Sequence, residues 1–216
     1  SQSPRGVYSF CMCPGGVVVP TPTREDELCI NGMSHASRQG RFANSALVVT
    51  LDPSDLEAWG YEGVLAGVDF QEACERRAYK AGGGQYRAPA CLVKDFLQAK
   101  VSTDLGKTSY RRGLEPSDLR PLFPEPIIES LQAAFIAFES RMPGFGSSEA
   151  RLIGVETRTA SPVRCLRGKN GEAEGFEGLY PAGEGMGYGG GIASAAIDGV
   201  RAAEALLKSE GASCEK

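Results

Sequence analysis

A cluster of glycines near the C-terminus is the part of the sequence whose residue types and spacing best suit ligand chemistry. Seven of the 28 glycines fall within seventeen residues, at positions 183, 185, 187, 189, 190, 191 and 199. Glycines gather in this way where a backbone must approach a ligand closely or adopt a positive φ. Because a predicted helix follows, backbone N–H groups and the helix dipole would suit a phosphate, a carboxylate or a flavin pyrimidine edge. The alternative is a loop whose glycines only permit tight packing of the helix on a sheet.

The cluster is not the dinucleotide-binding fingerprint of a Rossmann fold. Gly185, Gly187 and Gly190 do satisfy the pattern G-x-G-x-x-G. However, Glu184 heads the segment, and no strand–helix unit follows to complete a mononucleotide-binding fold. The pattern alone therefore leaves the ligand open.

Two cysteines near the N-terminus form a second group with chemical potential. Cys11 and Cys13 lie at the end of a predicted strand, with C-x-C spacing instead of the C-x-x-C of thioredoxin-like redox pairs. Cys29 and the single histidine, His35, complete no standard zinc pattern with them, so we expect no metal site. Three interpretations stay open: buried unreactive thiols, thiols that line a redox cofactor, and a protein that works by thiol oxidation.

Polar residues in the following segments are candidates for ligand recognition. Those between two predicted strands are Asn31, Ser34, Arg38 and Asn44. The same composition also fits an ordinary ordered connection, and His35 suits a surface position better than a catalytic one. Farther along, strand alternation predicts that Glu156 and Arg158 share one face, as an ion pair or as the wall of an active site.

Hydrophobic periodicity, with glycine and proline as breaks, predicts the elements that position these groups. Strands are predicted at 7–11, 17–19, 28–30, 46–51, 152–157, 163–166 and 179–182. Helices are predicted at 56–59, 70–80, 92–99, from 126 to the Met-Pro-Gly at 142–144, and at 192–207. The chain is thus expected to finish with a strand, the glycine cluster and a helix.

Composition narrows the class of protein. With 42% hydrophobic and 23% charged residues, the 216-residue chain has the balance of one large folded domain or one and a half ordinary ones. The net charge of −4 and the scattered lysines and arginines argue against a nucleic-acid partner. No apolar run is long enough to span a membrane, and the start has no signal-peptide core. Seven irregularly spaced cysteines favour a reducing compartment, with cytoplasm and plastid stroma equally open.

Five ordered blocks of the sequence carry a resemblance to a known family. They read YxFCMCPGGxV from position 8, NGMSxxxR from 31, FANS from 42, ETRTxSPVR from 156 and LYPxGEGxGYxGGIxSAAxDG from 179. In this order the blocks resemble the C-terminal part of the FAD-dependent dehydrogenases that are described as NAD(FAD)-utilising dehydrogenase-like and occur in bacteria and plastid-bearing eukaryotes. Five blocks spread over nearly the whole chain are more specific than any one of them.

The resemblance implies a glutathione-reductase-like flavoprotein with two dinucleotide-binding domains. The implied fold class is α+β or α/β, with residues 1–160 as a mixed-sheet substrate-side domain and residues 161–216 as the closing strands and helix of a Rossmann-like FAD-binding domain. An acid at the position of Glu184 is expected to hydrogen-bond the ribityl chain, and the loop after it to face the isoalloxazine N1 and C2=O edge. The residues so assigned to FAD are Gly183, Glu184, Gly185, Gly187, Tyr188, Gly189, Gly190, Gly191 and Ile192.

The same resemblance assigns the thiols and the polar residues to the substrate side of the flavin. The catalytic candidates, expected near its reactive face, are Cys11, Cys13 and Arg38. The residues expected to face a small-molecule substrate, or an electron donor or acceptor, are Asn31, Ser34, Asn44, Glu156 and Arg158. No metal is expected.

The sequence also departs from the family pattern. The N-terminal βαβ unit that holds the ADP half of FAD is not among the 216 residues, so an isolated chain is expected to bind FAD weakly or not at all. Ala160 stands where the family tends to have Ser, Arg41 where it often has Pro, and Gly168 where Asp commonly follows Arg167.

Two functions follow from the resemblance and its departures. The first is the C-terminal portion of an FAD-dependent oxidoreductase that transfers electrons or hydride, completed by the missing half in cis or in another chain. The alternative is a truncated, non-catalytic subunit with a structural or docking role in a larger, plastid or other organellar, assembly of protein subunits.

Overall fold

The structure is a computed structural model that describes residues 5–211. The chain divides into two compact units. Unit 1 comprises the described residues 5–61 and 69–157, and unit 2 comprises 62–68 and 158–211. No helix in the described chain is long and apolar enough to cross a membrane.

Unit 1 contains three small sheets. Two of them are antiparallel pairs, and the third has a central strand with one parallel and one antiparallel neighbour. The first pair joins β1 (Val7–Cys13) to β4 (Asn44–Val49), the second joins β2 (Gly16–Pro20) to β3 (Ile30–Ser34), and the third sheet has the order β6 (Leu114–Pro116), β5 (Ala88–Leu92), β7 (Arg151–Ile153).

Five α-helices accompany the strands. They are α1 (Pro53–Ala58), α2 (Ala66–Ala81), α3 (Val93–Leu97), α4 (Glu125–Arg141) and α5 (Ile192–Ser209). In α4, Pro126 occupies the first turn, where a missing N–H removes no helical hydrogen bond. Apolar residues at helical spacing then bury one side of α4. Because Ile128 and Ile127 belong to different apolar clusters, α4 connects the two parts of the core.

The apolar core lies in unit 1. Its larger cluster includes Leu28, Phe96 and Ile128, all at most 3% exposed. A smaller cluster forms around Phe70 and receives its neighbours from α1 and α4. Burial of large side chains of this kind is the main favourable contribution to folding.

Unit 2 buries no large apolar side chain among its described residues. Its buried residues are Ala66, Ala173, Pro181, Asp198 and Ala202. The strands predicted at 163–166 and 179–182 do not form, and within residues 5–211 this part of the chain has only an isolated bridge between Arg167 and Ala173. The glycine cluster therefore follows irregular backbone, and the Rossmann-like part of the fold assignment is not confirmed.

The fold is a mixed α+β arrangement with small sheets. The helices at 70–80, 92–99, from 126 and at 192–207 are confirmed with shifted ends. The strand predicted at 28–30 begins only at Ile30, and the one predicted at 152–157 is confined to Arg151–Ile153. β5 and β6 were not predicted.

Candidate functional site

The glycine cluster forms a loop that leads into α5, and we call residues Gly183–Gly191 the glycine loop. Gly183 has a φ of 76° and Gly187 a φ of 83°, and glycine adopts such values at little cost. One 3-10 turn lies between these two residues. At the other end, the Ser194 hydroxyl accepts a hydrogen bond from the Gly191 N–H at 3.1 Å. The loop thus enters α5 with a defined backbone path.

A carboxylate on α5 holds the beginning of the glycine loop. Asp198 accepts hydrogen bonds from both terminal nitrogens of Arg167, at 3.1 Å to Nη1 and closer to Nη2. It also accepts the Gly183 N–H at 2.9 Å. The same guanidinium donates to the Pro181 carbonyl at 2.8 Å. Because a bidentate pair fixes orientation as well as distance, this Arg167–Asp198 clamp sets where the loop begins relative to α5.

The clamp also sets the charge state of its carboxylate. The Arg167 hydrogen bond is the main cause that lowers the pKa of Asp198 below its ordinary value, and the Gly183 N–H lowers it further. Both partners favour the ionised form. Asp198 is therefore an anion at neutral pH, and its negative charge is already neutralised by Arg167.

Tyr188 ties the far part of the loop to the same arginine. The Arg167 guanidinium carbon lies 3.6 Å from the centroid of the Tyr188 ring, a favourable contact of a cation with an aromatic face. The phenol hydroxyl donates to the Cys165 carbonyl at 2.9 Å, and the Tyr188 N–H donates to the Gly183 carbonyl at 3.0 Å. Arg167 therefore supports the loop from both ends.

The middle of the glycine loop is open. A Cβ added at Gly185 or Gly190 would meet no atom of residues 5–211 within 4 Å, and neither residue has a left-handed φ. Neither the backbone conformation nor packing within this chain therefore requires glycine at these two positions. Within the described chain the N–H groups of Gly189 and Gly190 have no hydrogen-bond partner. The first turn of α5 carries no acidic residue, so the free donors suit an electron-rich group.

In unit 1 the two cysteines, Cys11 and Cys13, lie where the register between β1 and β4 shifts. They begin the segment Cys11–Gly16, which we call the thiol turn. The register shifts between the pairs Phe10–Ala46 and Cys13–Asn44, which is the pattern of a β-bulge. Cys11 has a φ of 49° and is exposed, and Cys13 is half-buried. The interpretation of both as buried thiols is therefore wrong, because the bulge leaves Cys11 at the surface.

The thiol turn packs backbone against backbone on the loop that carries Arg38. Gly15 has a φ of 59°, and a Cβ added to it would lie 2.2 Å from the Arg38 carbonyl oxygen. The Ser34 hydroxyl donates to the Pro14 carbonyl at 2.9 Å. These contacts bring Cys13, Ser34 and Arg38 into one region of unit 1.

Asn44 belongs to the same region. Its side-chain amide lies against β2 and β3, since a Cβ at Gly32 would overlap the amide oxygen and one at Gly16 would lie 2.6 Å from Nδ2. This Nδ2 atom is buried without a hydrogen-bond partner. Asn31 is farther along the β2–β3 ladder, opposite Val19, and is exposed. The structure thus joins Asn44 to the thiol turn and leaves Asn31 at its margin.

Glu156 and Arg158 do not share a strand face. β7 ends at Ile153, so the alternation that was expected to align the two side chains is absent, and they fall in different units. Glu156 is half-buried, and desolvation raises the pKa of its carboxyl above the ordinary value. Its role in binding stays a prediction.

The thiols and the single histidine form no metal centre in the part of the chain that the structure describes. Residues 5–211 contain no group of three or more His, Cys, Asp or Glu side chains placed to hold a metal ion. Cys29 is buried in the core, whereas His35 is exposed. The four side chains therefore have different environments.

Residues 1–159 match the sequence model of the family described as FAD-dependent protein, C-terminal domain-like. The chain belongs to this family. The match supports a role related to flavoproteins and covers the region that contains the thiol turn. It ends before the glycine loop, so the assignment of that loop to FAD rests on other observations.

A relative of this FAD-dependent family member is longer than the chain itself. An uncharacterized protein of Clostridium beijerinckii is 46% identical over 206 residues, which are 94% of this chain and 38% of the relative. The chain therefore spans less than half the length of the relative that it matches. Because the relative is bacterial, it gives no support for a chloroplast location.

The residues of the glycine loop are chemically compatible with FAD. Its open glycines and free N–H donors suit the edge of a flavin ring. The Glu184 side chain is half-buried at the head of the loop, and its carboxylate has no partner within residues 5–211. A carboxylate acceptor of this kind can bind hydroxyl groups of a sugar-like chain.

Sequence reasoning missed the two residues that organise the loop, Arg167 and Asp198. Both lie in or next to blocks that carry the family resemblance, but neither was assigned to the site. They are 31 positions apart, and no periodicity connects them. The one available signal was a charged residue, Asp198, within an otherwise small and apolar helical segment.

Proposed function

We propose that this chain is the C-terminal part of an FAD-dependent oxidoreductase of the dehydrogenase type. In this proposal residues 1–160 form the substrate side and residues 161–216 close the FAD site. A longer polypeptide, or a second chain, supplies the half that holds the adenosine of FAD. The family membership and the greater length of the relative support the proposal.

The observation that carries the proposal is the openness of Gly185 and Gly190. Side chains would fit at both positions as far as this chain is concerned, yet both are glycine. A group outside the chain that approaches the backbone closely would favour glycine at both positions. A planar flavin edge is such a group, and the neighbouring N–H donors would stabilise negative charge on it.

Each part of the site has a role in this proposal. Glu184 accepts hydrogen bonds from the ribityl hydroxyls, and residues from Gly183 to Ile192 line the ring edge. The clamp formed by Arg167 and Asp198 keeps the loop open in the absence of ligand. In unit 1, the thiol turn with Arg38 and Asn44 is the candidate substrate side. When bound, FAD supplies electron or hydride transfer to a small-molecule substrate or an electron partner.

The test is the flavin content of the longer polypeptide proposed to contain this chain. Glu184→Ala and Gly190→Val should each reduce the visible flavin absorption of the purified protein by about tenfold or more, because each removes or blocks a direct contact. Glu204→Ala is the matched control, since Glu204 is an exposed acid on α5 outside the loop. It should leave the flavin content unchanged.

Two results would reject the proposal. A protein without flavin before any substitution would favour the alternative, a docking subunit that reuses the fold. Unchanged flavin content in both loop variants would reject the glycine loop as the site while leaving the family membership intact. Thermal unfolding of each variant separates loss of flavin from loss of folding.

A further inference from the structure

The fifth helix presents three distinct faces. Its inner face includes Asp198 and Ala202, which are buried within unit 2. A second face is polar, and Arg201, Glu204 and Lys208 line a cavity of about 430 Å³ on that side. A helix on the surface of a finished domain usually has only an inner apolar face and an outer polar face. α5 departs from this pattern because it has a third face.

This third face is apolar and exposed. It consists of residues spaced by about one helical turn, with Ile192 exposed to 93% and Val200 to 59%. We call it the apolar face of α5. Its members are Ile192, Ala193, Ala196, Val200, Ala203 and Leu207, all of which are exposed. No charged residue interrupts it, so water contacts a continuous apolar stripe along the helix.

The rest of unit 2 has the same excess of exposed apolar surface. Eleven of the eighteen exposed large apolar residues in the described chain belong to this smaller unit. They include Phe176 and Leu179, which are 65% and 48% exposed. Unit 2 buries no large apolar residue of its own within the described range, so it lacks the burial that stabilises an independent domain.

The relative contains further chain that could cover this surface. It contains a segment equivalent to nearly all of this chain, and the larger part of its length lies outside the match. A partner that is joined in the same polypeptide reaches the stripe at high effective concentration. Exposed apolar area that a second domain covers needs no other explanation.

We propose that the apolar face of α5 is the docking surface for the portion of the longer flavoprotein that lies outside this chain. The proposal rests on the proposed function for the nature of that portion, a nucleotide-binding half with an apolar packing surface. Docking there would carry the glycine loop, which directly precedes α5, to the edge of that half. Docking on this surface would thus assemble the protein and, in the same step, complete the FAD site to which the glycine loop belongs.

The test is co-expression of this chain, carrying an affinity tag, with the portion of the Clostridium beijerinckii relative outside the match. The portion should co-purify, and amide exchange across 192–207 should be slower than in the chain alone. Val200→Lys should reduce the co-purified amount at least about tenfold, because it buries a charge in an apolar contact. Glu204→Lys places the same residue on the polar face of the helix and should have no effect.

Other results would overturn the docking proposal. Absence of co-purification, equal recovery with Val200→Lys, or unchanged exchange across 192–207 would each do so. A dimer of the chain alone that Val200→Lys dissociates would assign the face to a second copy instead. Flavin content is measured on the same samples: a colourless complex sensitive to Val200→Lys supports docking and rejects the proposed function. Flavin bound without a complex supports the proposed function and rejects docking.

Discussion

The two units of this protein are ordered by different interactions. Unit 1 buries two clusters of large apolar side chains between its sheets and helices, whereas unit 2 depends on one charged clamp and a series of hydrogen bonds around the glycine loop. Apolar burial contributes stability in proportion to area, whereas the attraction within a largely buried ion pair is offset by the desolvation of its two charges. The thiol turn belongs to the unit with the apolar core and is held by close backbone contact with the loop that carries Arg38. The conformation of the glycine loop depends on a few polar atoms.

The same difference appears in the glycines of the two candidate regions. In the thiol turn Gly15 is required by contacts within the chain, since another backbone segment occupies the space of its Cβ. In the glycine loop Gly185 and Gly190 have open space around them. Gly15 is thus required by contacts within unit 1, whereas contacts among residues 5–211 do not require glycine at positions 185 and 190.

The largest expected effect contrasts two isoleucines. Ile128→Ala removes a side chain that is 1% exposed in the core of unit 1 and should lower the free energy of unfolding by about 2–5 kcal/mol. Ile192→Ala makes the same change at a position that is 93% exposed and should alter it by less than about 0.5 kcal/mol. Urea unfolding followed by circular dichroism measures both. Similar losses in the two variants would mean that Ile192 is buried in solution, and the contrast between the units would fail.

A smaller effect is expected from the two kinds of glycine. Gly15→Ala forces a side chain into a left-handed conformation and against the Arg38 carbonyl oxygen, so we expect a loss of about 2 kcal/mol. Gly185→Ala meets no atom and should change stability by less than about 0.5 kcal/mol. The same urea experiment measures both. Equal tolerance at the two positions would show that the thiol turn is not held by close backbone contact.

Elements with long periodic patterns could be predicted from the sequence, and elements defined by distant neighbours could not. α4 was predictable because its apolar residues recur at helical spacing after Pro126. β5 was missed because Ala88–Cys91 contains no β-branched residue and includes Pro89, which usually restricts a strand to an edge. Its burial between β6 and β7 overrides that preference.

The candidate site shows the same limit. The strands predicted at 163–166 and 179–182 have suitable residue types, but a strand also needs a continuous ladder with a partner. Within residues 5–211 these segments make only single backbone hydrogen bonds, such as that from the Glu174 N–H to the Leu166 carbonyl. The clamp between Arg167 and Asp198 depends on an approach of the chain that no local pattern encodes. Conversely, the glycine cluster was recognisable from composition alone, because seven glycines fall within seventeen residues.

The smallest expected effect concerns acid, to which the two units should respond in opposite ways. Desolvation raises the pKa of Glu156 in unit 1, so its burial cost is present at neutral pH and is relieved as the pH falls through the folded-state pKa. Arg167 lowers the pKa of Asp198 in unit 2. The stabilisation that it provides is complete above the unfolded value of about 4 and is lost as the pH falls through the lower, folded value.

Two substitutions of a carboxylate by the corresponding amide test this contrast between the units. Glu156→Gln should raise the urea midpoint at neutral pH and abolish the gain that the unsubstituted chain shows on mild acidification, while Glu57→Gln, an exposed control on α1, should do neither. Asp198→Asn should accelerate amide exchange at Gly183 about tenfold at neutral pH, because one charge-assisted acceptor is lost. A lower urea midpoint for Glu156→Gln would mean that its carboxylate has a stabilising partner in solution. The two units would then share a dependence on paired charge, and the core of unit 1 would no longer distinguish them.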